Sequence, residues 1–372
     1  MKKMIKMSLV AAVAVAGLTT TASAGNLEDM IKDTKMAGYV RYQLVTDHEN
    51  STDTDEQAKI VAKITTPVND MVTANVKMVA GETSTQNADT KAAMNITEGN
   101  FVIKAAGATV IAGLQTSQSP FMANNGDTRS HGFTALVPAG PATIAAAYYT
   151  TTVGGGLASP AMTNDVLALG ALVKAGPANI NLWYATVEDG ANLSNGGDIA
   201  DTLNTLNTAF DDASAMSVEL TAKAGPVDVQ VMHTEVENGG DTLGALTKAV
   251  VTGKAGNISY MAAYAMTAEE GGQVTLDNDS DAKSDLGLDN LNMQSVADAT
   301  AFAVSGKIKM DNNMCASIAY LAGDTAGTDF DELDVKVGYS VSKNFKASLL
   351  YAMGDDAGTD FGYSQIELKY TF

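Results

Sequence analysis

Apolar and polar residues alternate one for one along stretch after stretch of this chain. Val40, Tyr42 and Leu44 alternate with Arg41 and Gln43, and Val72, Ala74, Val76 and Met78 alternate with Thr73, Asn75 and Lys77. Further on, Leu333, Val335, Val337 and Tyr339 alternate with Asp334 and Lys336, and Phe345, Ala347, Leu349 and Tyr351 with Lys346 and Ser348. The last residues do the same: Ile366, Leu368, Tyr370 and Phe372 are apolar, while Gln365, Glu367, Lys369 and Thr371 are polar. A period of two predicts strands with two unlike faces, and helical spacing fits none of these segments.

Two kinds of connection separate the predicted strands. Tight ones carry residues suited to a positive or preset φ: Thr66 to Asp70, Ala106-Gly107, Ala139-Gly140-Pro141, Ala175-Gly176-Pro177, Ala224-Gly225-Pro226, Ala255-Gly256-Asn257, Asp311 to Asn313 and Ser342 to Asn344. Long ones, acidic or Gly-rich, are expected near 47–57, 81–92, 115–132, 150–164, 188–214, 236–244, 267–297, 322–331 and 353–361. The two kinds alternate, nine long and eight short, so seventeen connections join eighteen strands.

An even number of antiparallel strands, with short turns at one end and long loops at the other, is the layout of a bacterial outer-membrane barrel. The expected fold is all-β: an 18-stranded antiparallel transmembrane β-barrel with short periplasmic turns and long extracellular loops. At ~10 residues a strand, the wall uses about 180 residues and leaves roughly 15 for each long loop, so no extra domain is needed. The run "GDTAGTDF" at 323–330 returns as "GDDAGTDF" at 354–361, and both copies are expected as loops at the same end. "NGGD" also occurs twice, at 195–198 and 238–241, but the full nonapeptide repeat of a calcium-binding β-solenoid is absent.

The opening "MKKMIKMSLVAAVAVAGLTTTASAG" supplies an address. Lys2, Lys3 and Lys6 precede the apolar run Leu9 to Leu18 and the small residues Ala22-Ser23-Ala24, the plan of a secretory signal over 1–24, cut before Gly25. The apolar run is about half of the ~20 residues a membrane-spanning helix needs. No Cys stands at the cleavage point, which argues against a lipoprotein. A short periplasmic segment at 25–35 and a barrel over 36–372 complete the expected organisation. Removing 24 residues from 372 leaves 348, and losing three lysines takes the formal charge from -20 to -23, which disfavours nucleic acid as a partner. Cys315 is the only cysteine, so there is neither an intrachain disulfide nor a Cys-based metal cluster.

Closure of the sheet follows from the solvent. In lipid an unpaired backbone N–H or C=O costs several kcal/mol, so a sheet in a bilayer leaves no edge. A soluble sandwich also alternates, but its buried face is rich in Leu, Ile and Phe. Here the apolar positions are often Ala, Val or Gly and the other face carries charge, which a packed core would not tolerate. Lipid outside and water inside removes the conflict, and a barrel of this size holds an aqueous channel. The expected function is passive diffusion of ions and small hydrophilic solutes, and the 22 aromatics imply sparse interface girdles.

The pore-lining candidates are the polar members of the alternating strands: Arg41, Lys63, Lys77, Asp334, Lys336, Lys346, Glu367 and Lys369. Lysines gather near the short turns, as with Lys104, Lys174, Lys223, Lys254, Lys307 and Lys309, while most carboxylates fall in the long loops, so the channel is expected to be polarised along its axis. The third long loop, "QTSQSPFMANNGDTRSHGF", is the expected constriction, with Asp127 and Arg129 as opposed charges that exclude apolar solutes. The acidic loops predict a modest preference for cations.

Other chemistry is thin. Asp277, Asp279 and Asp281 have the spacing of a calcium loop, but Ala282 stands where a glycine is needed and Leu288 replaces the bidentate Glu. No cofactor is expected, with loop-bound calcium left open as an alternative. His48, His131 and His233 are far apart, no nucleophile elbow or phosphate loop is present, and the chain is not expected to be an enzyme. Cys315 alternates with Ala316 and Ile318 as a small lumen-side filler.

The segment "NLEDMIKDTKMAGYVRYQLVTD" at 26–47, the signal before it and the terminal "IELKYTF" resemble the Campylobacter-type major outer membrane porins of epsilonproteobacteria. The resemblance is firm at both ends, about a tenth of the mature chain, and elsewhere rests on layout. It implies an 18-stranded barrel, a homotrimer and a cation-preferring general diffusion pore, embedded among outer-membrane lipid and lipopolysaccharide. Arg41 in "GYVRYQ" matches the family's lumen-facing arginine of the first strand. A terminal aromatic strand ending at Phe372 resembles the signal read by the barrel insertion machinery. A barrel serving mainly as a scaffold or adhesin through its loops is the alternative.

Overall fold

Two consecutive residues with positive φ make a turn whose twist matches that of the strands it joins, so the chain can reverse without leaving the sheet. Ala106 and Gly107 (φ 49° and 82°) form such a turn, and at Gly140, Gly176 and Gly225 (φ 63°, 62° and 65°) a glycine is followed by proline, whose fixed negative φ suits the second position of a type II′ turn. Between these reversals the alternating segments pair with their sequence neighbours.

The computed structural model describes residues 32–49, 54–81, 94–116, 119–121, 129–153, 165–188, 213–272, 274, 283 and 285–372. The first nine strands are β1 (Lys35–Asp47), β2 (Thr54–Pro67), β3 (Val72–Gly81), β4 (Met94–Ala105), β5 (Ala108–Thr116), β6 (Arg129–Ala139), β7 (Ala142–Val153), β8 (Asp165–Ala175) and β9 (Ala178–Glu188). The other nine are β10 (Ala213–Ala224), β11 (Val227–Asn238), β12 (Asp241–Ala255), β13 (Ile258–Thr267), β14 (Ala299–Lys309), β15 (Met314–Thr325), β16 (Thr328–Ser340), β17 (Phe345–Asp355) and β18 (Asp360–Thr371). Each is antiparallel to the next, and β18 pairs with β1, so the sheet closes into an 18-stranded barrel as the alternation predicts.

The closing register runs from Tyr39 opposite Thr371 to Asp47 opposite Tyr363. It places Val40 and Tyr42 on one face with Leu368 and Tyr370, all exposed, and Arg41 and Gln43 on the other with Lys369 and Glu367. The apolar face is outward in every part of the wall, with Ile60, Phe101, Phe133, Leu182, Tyr184, Tyr264, Phe302, Tyr339 and Tyr351 exposed on it. This is the inverse of a soluble protein's polarity and suits lipid as the outer solvent.

Three of the nine expected long loops are instead two-residue turns. Gly239-Gly240, Ala326-Gly327 and Ala357-Gly358 all have paired positive φ, and the ladder continues to Asn238 opposite Asp241, Thr325 opposite Thr328 and Asp355 opposite Asp360. The Gly-Asp-Thr-rich runs read as loops are strand ends, polar because they stand clear of the apolar band. The "GDTAGTDF" and "GDDAGTDF" copies are thus two similar hairpin tips.

Candidate functional site

The inner face is not uniformly polar. On β13 and β14, Ala263, Ala265, Ala299, Ala301 and Ala303 occupy inward positions and leave a shallow recess in the wall. The connection between these strands fills it. Val274, Leu286, Leu291 and Met293 are buried against those alanines and against Leu246, Leu321 and Phe330, each contributing roughly 1.5–3 kcal/mol of burial. A small internal hairpin stiffens the segment, with the Leu288 N–H donating to the Leu291 carbonyl at 2.9 Å and the Met293 N–H to that of Leu286 at 3.0 Å, followed by a 3₁₀ turn at Met293–Ser295.

Polar contacts tie this loop to two distant walls. Lys283 Nζ donates to Glu219 Oε2 on β10 at 2.7 Å, and Glu219 also accepts from Asn181 and Gln230. Lys248 Nζ, from β12, donates to the backbone carbonyls of Lys283 (2.7 Å) and Asp285 (2.6 Å). On the other side, the wholly buried Glu332 of β16 accepts the backbone N–H groups of Asn290 (2.9 Å) and Leu291 (2.7 Å). The Tyr363 hydroxyl of β18 donates to the Asp289 carboxylate. β10 and β18 are eight strands apart in the ring of eighteen, and between them the loop meets β12 to β16 through Lys248, the inward alanines, Leu321 and Glu332. The loop therefore folds into the barrel along the wall from β10 to β18 and is held at both ends.

Asp285 lies in the loop, outside the spanning strands. Burial pushes its carboxyl up to about 6, opposed by N–H donors from Gln294, Leu286 and Met293 and by the charge of Lys248.

The third long loop also turns inward at its described part. Ser119, Pro120 and Phe121 are buried, and Phe121 packs on Ala147, Tyr149, Val166, Ala168, Ala185 and Ala215, inward residues of β7 to β10. Asp127 lies outside the described residues. Arg129, opposite Thr116 and Val153, shares the face of the outward Phe133, whereas the neighbouring Ser130 and Thr134 are buried on the inner face. Strand alternation therefore sets Arg129 on the outer face of β6.

The other sequence candidates fall on the inner face by register. Arg41 lies between Lys369 and Lys59, and Lys369 Nζ stands 4.3 Å from the centre of the Tyr39 ring. Lys63 pairs with Glu98 at 2.8 Å, and Lys77 lies 3.9 Å from the same carboxylate. Glu367 accepts from Gln43 at 3.4 Å, Asp334 is two residues from Glu332, Lys336 lies opposite Ser317 and Leu350, and Lys346 lies opposite Lys369. Cys315 faces Gly338, also inward.

Sequence reasoning missed Glu98, Glu219, Lys248, Lys283, Asp285, Asp289, Glu332 and Tyr363. The legible signal was the run of alanines at inward positions where an aqueous lumen asks for polar residues. Asp277, Asp279, Asp281 and Ala282 are outside the described residues; Leu288 packs at the edge of the apolar cluster, and no group of three metal-ligating side chains is placed to hold an ion among the described residues.

In solved structures the fold recurs in outer-membrane proteins of Pseudomonas aeruginosa. OpdK, crystallised with vanillate, is 11% identical with a TM-score of 0.71, over 92% of this chain and 99% of that one. OccK8 (OprE) is 12% identical with a TM-score of 0.69 over the same shares, and OccK3 (OpdO) is 10% identical with a TM-score of 0.69 over 93% and 97%. No curated protein matches the sequence. The family profile described as Campylobacter major outer membrane protein matches residues 1–332. With the closed barrel, its lipid-facing apolar wall and its charged interior, that match settles the assignment: the chain belongs to the Campylobacter major outer membrane protein family and is a multi-pass channel barrel of the outer membrane.

Proposed function

We propose that this barrel is a general diffusion pore for ions and small hydrophilic solutes, with a modest preference for cations. The observation that carries the reading is the sign of charge where the loop folds against the inner wall. Glu219, Asp285, Asp289, Glu332 and Asp334 gather there against Lys248 and Lys283, a net excess of carboxylates among the described residues. Two unit charges ~8 Å apart in water interact by about 0.5 kcal/mol, so a small excess biases permeation several-fold at low salt and less at physiological salt.

A homotrimer, contact with lipopolysaccharide and recognition of the strand ending at Phe372 by the insertion machinery belong to the same reading and are supported by family membership. Calcium at the acidic run 276–290 remains the alternative and is tested by adding chelator to the same recordings.

Purified protein in planar bilayers should give discrete conductance steps, and a potassium chloride gradient should give a reversal potential of cation sign. Anion sign would overturn the preference, and electrical silence would favour a scaffold or adhesin role.

A further inference from the structure

A second polar feature lies at the opposite end of the barrel, beside the short turns, which are periplasmic in bacterial barrels. A cavity of about 620 Å³ opens against the inner wall of β10 to β14, lined by Lys223, Asp228, Lys254, Ser259, Ser305 and Lys307 among others. A neighbouring cavity of about 380 Å³ shares Lys223 and Asp228.

The register makes this a compact patch. Lys223, Asp228, Thr252, Met261 and Ser305 stand side by side across five strands, and in the next inward row Lys254 and Lys307 flank Ser259. Lys254 and Lys307 are two inter-strand spacings apart, roughly 10 Å at the backbone, a gap that two long flexible side chains can close. Each lysine is inward because its strand turns apolar residues out: Leu220 on β10, Val251 on β12 and Val304 on β14 are exposed on the outer wall.

The fold does not require cations here. Thr221, Thr252, Ser259 and Ser305 show that neutral polar residues satisfy the same wall. Three ammonium groups and only one carboxylate among its described lining residues give the cavity a net positive charge, with hydroxyls interleaved as neutral donors. Lysines act as point charges toward phosphate and carboxylate oxygens, and a multiply charged anion gains from several at once.

We infer that the Lys223–Lys254–Lys307 cavity is a binding site for small anions carrying two negative centres, entered from the periplasmic mouth. Such an anion sits beside the short turns, away from the carboxylates that face the inner loop, so it obstructs cation flow when it enters from the periplasmic mouth. The binding claim stands apart from the channel reading; only the block rests on it.

The test uses the full barrel in detergent with pyrophosphate as the probe, titrated calorimetrically at low salt, and succinate in parallel. Saturable binding is expected, weakened about tenfold in K223Q/K254Q/K307Q and unchanged in K104Q/K174Q, which alters inward lysines outside the cavity. Asp228→Asn is expected to tighten binding, a gain that misfolding does not produce. Preference for pyrophosphate identifies a phosphate-bearing ligand, and preference for succinate a dicarboxylate. In bilayers, pyrophosphate should block from one face only. Absence of saturable binding, equal weakening in both lysine variants, or no gain in Asp228→Asn overturns the site. Channels without pyrophosphate binding sink the site and leave the pore reading intact, whereas binding without channels does the reverse.

Discussion

Gly38 and Phe372 close the barrel through a reciprocal pair of backbone hydrogen bonds: the Gly38 N–H donates to the Phe372 carbonyl at 3.0 Å, and the Phe372 N–H to that of Gly38 at 3.0 Å. A Cβ at position 38 would stand 2.0 Å from the Val61 carbonyl oxygen and 2.9 Å from the Phe372 ring. Gly38→Val should therefore open the seam and destabilise the barrel by roughly 1–3 kcal/mol. A lower dissociation temperature of the folded band on semi-native gels is the expected result, and unchanged heat resistance would contradict it.

Phe372 carries a separate expectation. Its deletion should lower the yield of assembled barrel in the outer membrane while export across the inner membrane continues. Fractionation with protease accessibility measures both, and equal assembly would rule out the signalling role.

Lys63 and Lys77 lie directly opposite each other in the β2–β3 ladder, an arrangement of like charges that costs stability by itself. Glu98 stands between them, 2.8 Å from Lys63 and 3.9 Å from Lys77. Because Lys63 is 45% exposed, screening keeps the value of the contact to about 1 kcal/mol or less. Glu98→Gln should cost about that much and move the reversal potential toward anions. A shift the other way would show that this cluster does not face the conducting path.

Lys283→Gln removes the ion pair that holds the inner loop to Glu219. With the exposed end of the pair already hydrated, the loss is about 1 kcal/mol, enough to raise the detached population several-fold. Larger or noisier single-channel steps are expected. Identical steps in wild type and variant would mean that the apolar cluster alone seats the loop.

Asp285 adds a pH dependence. Its ordinary value of 3.8 is raised to about 6 in the folded loop, so between those values the folded state binds more protons than the unfolded one. Loop seating is then fully stable below about pH 4 and weakens as pH climbs to about 6, by about 3 kcal/mol at most, with no further change from this group above that. Current noise should rise from pH 4.5 to 6.5, and Asp285→Asn should flatten the rise. Any slope that persists belongs to Glu219, Glu332 or Asp334, the wall carboxylates that face this loop.

Much of the barrel is legible along the chain because lipid and backbone hydrogen bonding act residue by residue. Val40-Arg41-Tyr42-Gln43 declares its faces without a neighbour, and Gly225-Pro226 declares a reversal. The strand ends are less legible. Thr325 and Thr328 pair as wall although their segment is as polar as a loop, since a ladder above the membrane needs no apolar face.

The inner loop could not be found from its own composition. Glu332 reads as one more polar member of an alternating strand, and only the fold brings the Asn290 and Leu291 N–H groups to it. Arg129 shows the converse, because its place in a charged loop suggested a lumen role and strand alternation on β6 sets it on the face of Phe133.

The sequence by itself determined the number of strands, their facing and the seam between the first strand and the last, because each depends on local alternation and on a solvent that forbids open edges. Only the tertiary structure decided which loop folds into the barrel and which charges meet there. Those contacts join residues from Asn181 to Tyr363 along the inner wall, and their energies exist only once the ring has closed.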